Sequence, residues 1–195
     1  MSVMASGSGL YSVRFDQPVY FVQPGQSSVP VGILIDPAPE AGLFSYGVTL
    51  KFDSAMASVP DSSAVKVVPP LNFDGVRGAG ANIQLAAGTA SVKGSVDTSL
   101  PAGTAYSGSL IGVFEVKNQA PAGSSYLLEL SLNRTLGPSE SVFVDGKGQV
   151  LDSGLTFGTA QIIVQVPEPG MLSLVGIGSI GLLFSGWREG RVSNA

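Results

Sequence analysis

Apolar and polar residues alternate with a period of two along most of this chain, the spacing of strands that bury one face. Tyr11, Val13 and Phe15 alternate with Ser12, Arg14 and Asp16, and a second short strand is predicted over residues 19–22, between Pro18 and the Pro24-Gly25 turn pair. Val29, Val31, Ile33 and Ile35 then alternate against Ser28, Pro30, Gly32 and Leu34. Proline cannot donate to a ladder, so Pro30 predicts an edge position or a bulge. In the strongest alternation Phe44, Tyr46, Val48, Leu50 and Phe52 share one face, and Ser45, Gly47, Thr49, Lys51 and Asp53 share the other. An aromatic stripe at this spacing reads as a buried sheet face rather than a ligand platform.

Downstream, a turn of helix is predicted over residues 54–58, a strand over 65–68, brief strands over 83–85 and 90–93, and loops over 72–81 and 97–108. Glycines of the first loop would cradle phosphate only with a following helix to align the amides; none is predicted, so it reads as a surface loop. Residues 109–117 form a long strand, with Leu110, Gly112, Phe114 and Val116 on one face and Ile111, Val113, Glu115 and Lys117 on the other. Tyr126, Leu128, Leu130 and Leu132 make the next buried face. Residues 142–144 and 149–151 flank a hairpin turn at Asp145-Gly146-Lys147-Gly148, whose single aspartate is too few for a calcium loop. The last strand, 159–166, places Ala160, Ile162, Val164 and Val166 on one face and runs straight into Pro167. Nine or ten strand segments with glycine and proline turns, and no helix upstream of residue 167, predict an all-β fold, an antiparallel β-sandwich over residues 10–166.

The pattern changes at the C-terminus. Pro167-Glu168-Pro169-Gly170 leads into an uncharged run, residues 171–187, whose only polar side chains are Ser173, Ser179 and Ser185. A core helix would carry a polar face, so this hydrophobic helix is assigned to a membrane. It rises about 25 Å, a little short of a ~30 Å hydrocarbon core, which makes it a marginal single span. Arg188 and Arg191 follow it and no cation precedes it closely, so the tail is expected in the cytoplasm and the sandwich outside.

Pro167-Glu168-Pro169, one apolar span and terminal arginines together resemble the PEP-CTERM sorting signal of exported bacterial proteins. The resemblance assigns residues 167–195 to the signal. It implies export in a Gram-negative-type bacterium, transient anchoring in the inner membrane, recognition at Pro167, Glu168 and Pro169 by an exosortase-type membrane protease, and delivery to the cell surface or extracellular matrix. Arg188 and Arg191 become the cytoplasmic anchor charges; Glu189 interrupts that basic cluster. Residues 1–9 are small and uncharged and form no secretory leader, which an export tail requires, so the natural start is expected upstream.

Composition narrows the chemistry. The chain of 195 residues contains no cysteine and no histidine, which removes disulfides, Ser-His-Asp and Cys-His machinery and the usual zinc ligands. Its net charge of −4 comes from singly scattered groups, and nucleic acid is not an expected partner because phosphate binding needs clustered cations. No cofactor is expected. Asn133-Arg134-Thr135 matches a glycosylation acceptor but is discounted as a common chance pattern.

Several segments resemble a cohesin domain: Pro24-Gly25-Gln26 before Val29-Pro30-Val31, Gly42-Leu43-Phe44 leading into Thr49-Leu50-Lys51-Phe52-Asp53, Val113-Phe114-Glu115-Val116-Lys117 before Ala120-Pro121-Ala122-Gly123, and the strand from Ala160 to Val164. The resemblance implies a jelly-roll sandwich of about nine strands and a role in protein or polysaccharide attachment. The leading expectation is a non-catalytic surface or matrix protein that binds another exported protein or polymer. A carbohydrate-binding module is the alternative, with exposed Tyr20 or Tyr106 substituting for the single tryptophan, Trp187, which sits in the membrane run. A glycosidase would need two carboxylates roughly 5–9.5 Å apart in a cleft, whereas Glu115 and Glu129 read as solubilising charge on strand exteriors.

Overall fold

The structure, a computed structural model, describes residues 10–68, 71–72, 82–96, 105–134 and 142–167. Residues 1–9, most of the two predicted loops, and the predicted span 171–187 lie outside the described residues. The chain divides into two units, Met1–Gln165 and Val166–Ala195.

Among the described residues, fourteen strands form two sheets. The six-stranded sheet orders β13 (Leu155–Phe157), β1 (Tyr11–Phe15), β3 (Ser28–Asp36), β10 (Leu110–Asn118) and β5 (Ala57–Ser58), with β6 (Val65–Val67) also paired to β10. The eight-stranded sheet orders β2 (Val19–Val22), β14 (Thr159–Val164), β11 (Ser125–Leu132), β4 (Leu43–Phe52), β9 (Thr89–Val96) and β7 (Leu71–Asn72). There β12 (Val144–Asp145) pairs with β4, and β8 (Asn82–Ala86) with β9. Alternation supplies the inner faces: Val13, Ile33 and Phe114 of one sheet share a core with Tyr46, Leu50, Leu128 and Ile162 of the other, all 0 % exposed. The Tyr46 hydroxyl crosses that core to donate to the Ile111 carbonyl at 2.5 Å.

The first and last strands both change sheets. β1 pairs parallel with β13 in one sheet, and β2 pairs parallel with β14 in the other. The sandwich is therefore mixed rather than purely antiparallel as predicted. Between β1 and β2, Asp16 N–H donates to the Gly32 carbonyl at 2.9 Å and the Asp16 carboxylate accepts the Gly32 N–H at 3.0 Å and the Tyr20 hydroxyl. A Cβ on Gly32 would stand 2.7 Å from the Asp16 carboxyl carbon, so any larger residue there would push the carboxylate aside and disturb its bonds to the Gly32 N–H and Tyr20. Between β13 and β14, Gly158 N–H donates to the Val13 carbonyl at 2.9 Å and its carbonyl accepts from Leu130 at 3.2 Å, linking the two sheets at the second crossing.

Several sequence expectations change for identifiable reasons. The strand count exceeds nine or ten because two- and three-residue pairings such as β5 and β13 carry too few residues to show a period. Residues 54–58 are a turn followed by β5, not a helical turn, and the only helical pieces among the described residues are 3-10 turns at Ser62–Ala64 and Asp152–Gly154. Phe44 is 39 % exposed, and Leu43 takes the buried place, because the pairing of β4 with β12 shifts register between Leu43 and Ser45. A similar irregularity between Leu110 and Gly112 turns Ile111 inward. β3 is an interior strand, yet β1 has ended opposite Ile33, so the nitrogen of Pro30 faces a side with no ladder partner. Val166 is 61 % exposed: β14 stops at Val164, and the last tie to the sheet is Gln165 N–H to the Val22 carbonyl at 2.9 Å.

Asp16→Ala leaves two donors, the buried Gly32 N–H and the Tyr20 hydroxyl, without their acceptor. It is expected to lower the unfolding free energy by about 2 kcal/mol in urea titrations followed by circular dichroism, and an unchanged midpoint would contradict the role given to Asp16.

Burial also holds the phenols neutral. The Tyr46 hydroxyl is pushed well above the ordinary tyrosine value by burial, Tyr20 likewise by burial and then by its bond to Asp16, and Tyr126 is raised by burial to about 12. Unfolded tyrosine ionises first, so this contribution is complete below the ordinary value of 10.0 and is lost as pH rises through about 12. Absorbance titration of phenolate, compared with the Tyr20→Phe, Tyr46→Phe and Tyr126→Phe variants, should therefore show the phenolate signal of these three residues rising together with loss of the strand circular dichroism signal.

Candidate functional site

The outward residues of the eight-stranded sheet follow from the strands that bury their alternates. In β11, Tyr126, Leu128 and Leu130 turn inward, so Ser125, Leu127 and Glu129 turn out. In β14, Ile162 and Val164 turn inward and Ile163 outward; in β2, Tyr20 and Val22 turn inward and Phe21 outward. Register then sets neighbours. Ile163 stands between Phe21 and Ser125, and Leu127 lies opposite Gln161, diagonal to Ile163. Phe21 at 52 % exposure and Leu127 at 58 % thus frame an apolar row with the half-buried Ile163, on a face otherwise carrying Gln161, Ser125, Glu129 and Lys51.

Beside this row is a surface hollow of about 430 Å³. Its apolar lining comes from Phe52, Met56, Tyr126 and Leu127, and its charged lining from Lys51, Asp53 and Glu129. Lys51 and Glu129 face each other across the β4–β11 ladder. The Asp53 carboxylate accepts the Ala55 N–H at 2.9 Å and so closes the turn after β4. Tyr126 donates to the Asn118 side-chain oxygen at 3.3 Å. This arrangement offers apolar contact area with a few fixed polar groups, the make-up of a recognition surface.

Other candidates fall elsewhere. Tyr20 is 3 % exposed with its hydroxyl on Asp16, and Tyr106 is half-buried with its hydroxyl on the Leu110 carbonyl at 2.8 Å, so neither is the exposed sugar platform the sequence suggested. Both rings follow their strands or bridges into the core. Asp145 is a turn cap whose carboxylate accepts the N–H of Lys147 at 2.9 Å and of Gln149 at 2.7 Å. Among the described residues no group of three or more acidic side chains gathers as a metal site, and no helix is long and apolar enough to cross a membrane. Asn133 is 7 % exposed and donates to the Val92 carbonyl, a poor position for a glycan. Pro167 is exposed at the end of the described chain, while Glu168, Pro169, Arg188 and Arg191 lie outside the described residues. The apolar row was not recognised in the sequence; the outward place of Leu127 follows from its alternation with Tyr126 and Leu128.

Residues 165–191 match the PEP-CTERM protein-sorting motif. In fold the chain is similar to the sixth cohesin of scaffoldin B from Acetivibrio cellulolyticus, solved in complex with a Cel5 dockerin, at 16 % identity over 80 % of this chain and 99 % of that one, with a TM-score of 0.56. It is similar to the seventh ScaB type I cohesin of Pseudobacteroides cellulosolvens at 16 % identity, over 82 % and 94 % of the two chains, with a TM-score of 0.57. A type III cohesin module of the cell-surface anchoring scaffoldin ScaE from Ruminococcus flavefaciens aligns at 12 % identity, over 83 % and 91 %, with a TM-score of 0.55. No curated protein matches this chain. A sorting motif of this kind marks an exported, surface-targeted protein. The chain carries a PEP-CTERM protein-sorting motif behind a β-sandwich similar in fold to the cohesins.

Proposed function

We propose that this chain is a non-catalytic surface or extracellular-matrix protein that binds another exported protein through the outer face of its eight-stranded sheet. The observation that carries this reading is the exposed row of Phe21, Ile163 and Leu127 beside the hollow at Lys51, Asp53 and Glu129. An apolar centre with a charged margin is how protein interfaces are built. The A. cellulolyticus cohesin of similar fold is held in complex with a dockerin, which supports a protein partner here. Residues 171–187 serve as a temporary inner-membrane anchor, and an exosortase-type protease cleaves at Pro167, Glu168 and Pro169. Because Gln165 is still tied to the sheet, such cleavage frees the sandwich with almost no leftover tail.

Two carboxylates line the hollow, but Asp53 is engaged in its turn and Glu129 stands opposite a lysine, an arrangement suited to positioning rather than to a glycosidase pair. Polysaccharide binding is less favoured because Tyr20 and Tyr106 are committed to internal hydrogen bonds.

Immobilised protein is expected to retain a specific protein from the organism's own secreted fraction. Phe21→Asp with Leu127→Asp should weaken that retention about tenfold or more, equivalent to ~1.4 kcal/mol, without changing the circular dichroism spectrum. Retention of polysaccharide alone would replace this reading with the carbohydrate one.

Protein recovered from the cell surface should have a mass corresponding to a C-terminus within residues 167–170. An intact Ala195 terminus on surface-recovered protein would rule out cleavage.

A further inference from the structure

An edge strand offers unpaired backbone groups to any passing strand, and folded proteins blunt such edges by brevity, charge or proline. Among the described residues, β5, β7 and β13 are only two or three residues long, β6 carries Lys66, and β2 is bracketed by Pro18 and Pro24. β8 has none of these devices. Its residues, Asn82-Ile83-Gln84-Leu85-Ala86, include no charge, proline or glycine, and Gln84, Leu85 and Ala86 are exposed. Charges flank this edge without entering it: Lys93 lies opposite Asn82 on β9, Lys51 of β4 stands across from Thr89, and Asp61 caps the 3-10 turn Ser62–Ala64 that packs beside β8.

Register fixes where the backbone groups of β8 point. Phe52 N–H donates to the Gly88 carbonyl at 2.9 Å, and Ala90 and Val92 pair with Leu50 and Val48, so these even-numbered residues aim their backbone at β4. Thr89, Ser91 and Lys93 therefore aim at β8, where they pair with Ala86, Gln84 and Asn82. Ile83 and Leu85 are left with N–H and C=O directed away from the sheet, and no hydrogen bond reaches those groups from another described residue. Their side chains lie on the core side, opposite buried Val92 and Ala90, at the point where the sheet runs out. Ile83 is half-buried there and Leu85 is 37 % exposed.

This edge is complementary to itself. Two copies of β8 laid antiparallel with Gln84 opposite Gln84 bring Ile83 of each copy opposite Leu85 of the other. Both residues direct their backbone groups outward, so each end of the seam forms a reciprocal pair of N–H···O=C bonds. A register with Ile83 opposite Ile83, or Leu85 opposite Leu85, keeps only one such pair between these residues. The favoured register also buries Ile83 against Leu85 on the core side and lets the Gln84 amides bond each other on the outer side.

We propose that β8 is a self-association edge, through which a second copy of this chain extends the eight-stranded sheet. The interface is small and of the class that associates weakly, so the pair forms where chains are concentrated. A two-fold axis normal to the sheet relates the copies and turns their outer faces the same way. Both rows of Phe21, Ile163 and Leu127, at the far edge of each sheet, are then offered to one partner surface, which raises avidity. That consequence rests on the proposed binding face; the pairing itself does not.

The chain has no native cysteine, so single introduced thiols report the seam. In the favoured register Gln84 faces Gln84 as a non-hydrogen-bonded pair with Cα atoms about 4.5 Å apart, within disulfide reach. Ala86, just as exposed, stands about 14 Å from its copy and faces Asn82 instead. The full chain is held in detergent with micelles in excess over chains and oxidised mildly. Gln84→Cys is expected to form disulfide-linked dimers severalfold faster than Ala86→Cys, and a mixture of Asn82→Cys and Ala86→Cys chains should crosslink severalfold faster than either variant alone. Equal rates at positions 84 and 86 would mean chance encounter and overturn the proposal. It would be overturned equally by a mixture no faster than its components, or by an absence of dimers of Gln84→Cys at millimolar chain. None of these positions lies in the apolar row, so retention of a secreted partner tests the binding face separately.

Discussion

The structure depends on the first and last strands changing sheets together. A hydrophobic core attracts without direction, and two sheets held only by burial can slide. Here β1 and β2 are consecutive pieces of one path, as are β13 and β14, and each piece pairs parallel with its counterpart. The crossing is fixed by Asp16, whose backbone and carboxylate both engage Gly32 while the carboxylate also holds Tyr20. A slip of one residue in β1 would expose Val13 and Phe15 and break these bonds, so polar geometry sets the register that burial alone leaves loose. With no cysteine in the chain, such hydrogen bonding takes the place that disulfides fill in many exported domains.

The same path also builds the candidate site. β14 turns Ile162 and Val164 into the core and Ile163 outward between Phe21 and the end of β11. The strand that closes the sandwich therefore contributes the centre of the apolar row, and its next residues lead to the sorting motif. A substitution in β14 touches the core or the outer apolar row according to which face it falls on. Ile162 is 0 % exposed and belongs to the core; Ile163 belongs to the row.

Alternation made much of this fold legible. Residues 11–15, 19–22 and 125–132 form strands where the period of two places them, and Val29, Val31, Ile33 and Ile35 are buried together as expected. The errors lie where the ladder is irregular. Phe44 and Ile111 sit next to register shifts, and a shift reverses the faces without leaving a mark in the local pattern. The parallel pairings were not legible either, because Tyr11 and Leu155 meet from opposite ends of the sequence and neither segment records its partner. Tyr20 looked exposed because a tyrosine in a four-residue strand gives little phase; its place is settled by Asp16 four residues earlier.

This contrast explains why the sorting motif was readable and the apolar row was not. A processing signal is recognised as a continuous segment, so Pro167-Glu168-Pro169, the apolar run and the arginines stay adjacent in sequence and reveal their order directly. The apolar row draws Phe21, Leu127 and Ile163 from three strands, two of them joined by parallel pairing across nearly the whole chain. Each residue alone is an ordinary outward apolar side chain of the kind every protein surface carries. Their meaning comes from being neighbours, and neighbourhood is a product of the same sheet crossing that Asp16 and Gly158 enforce.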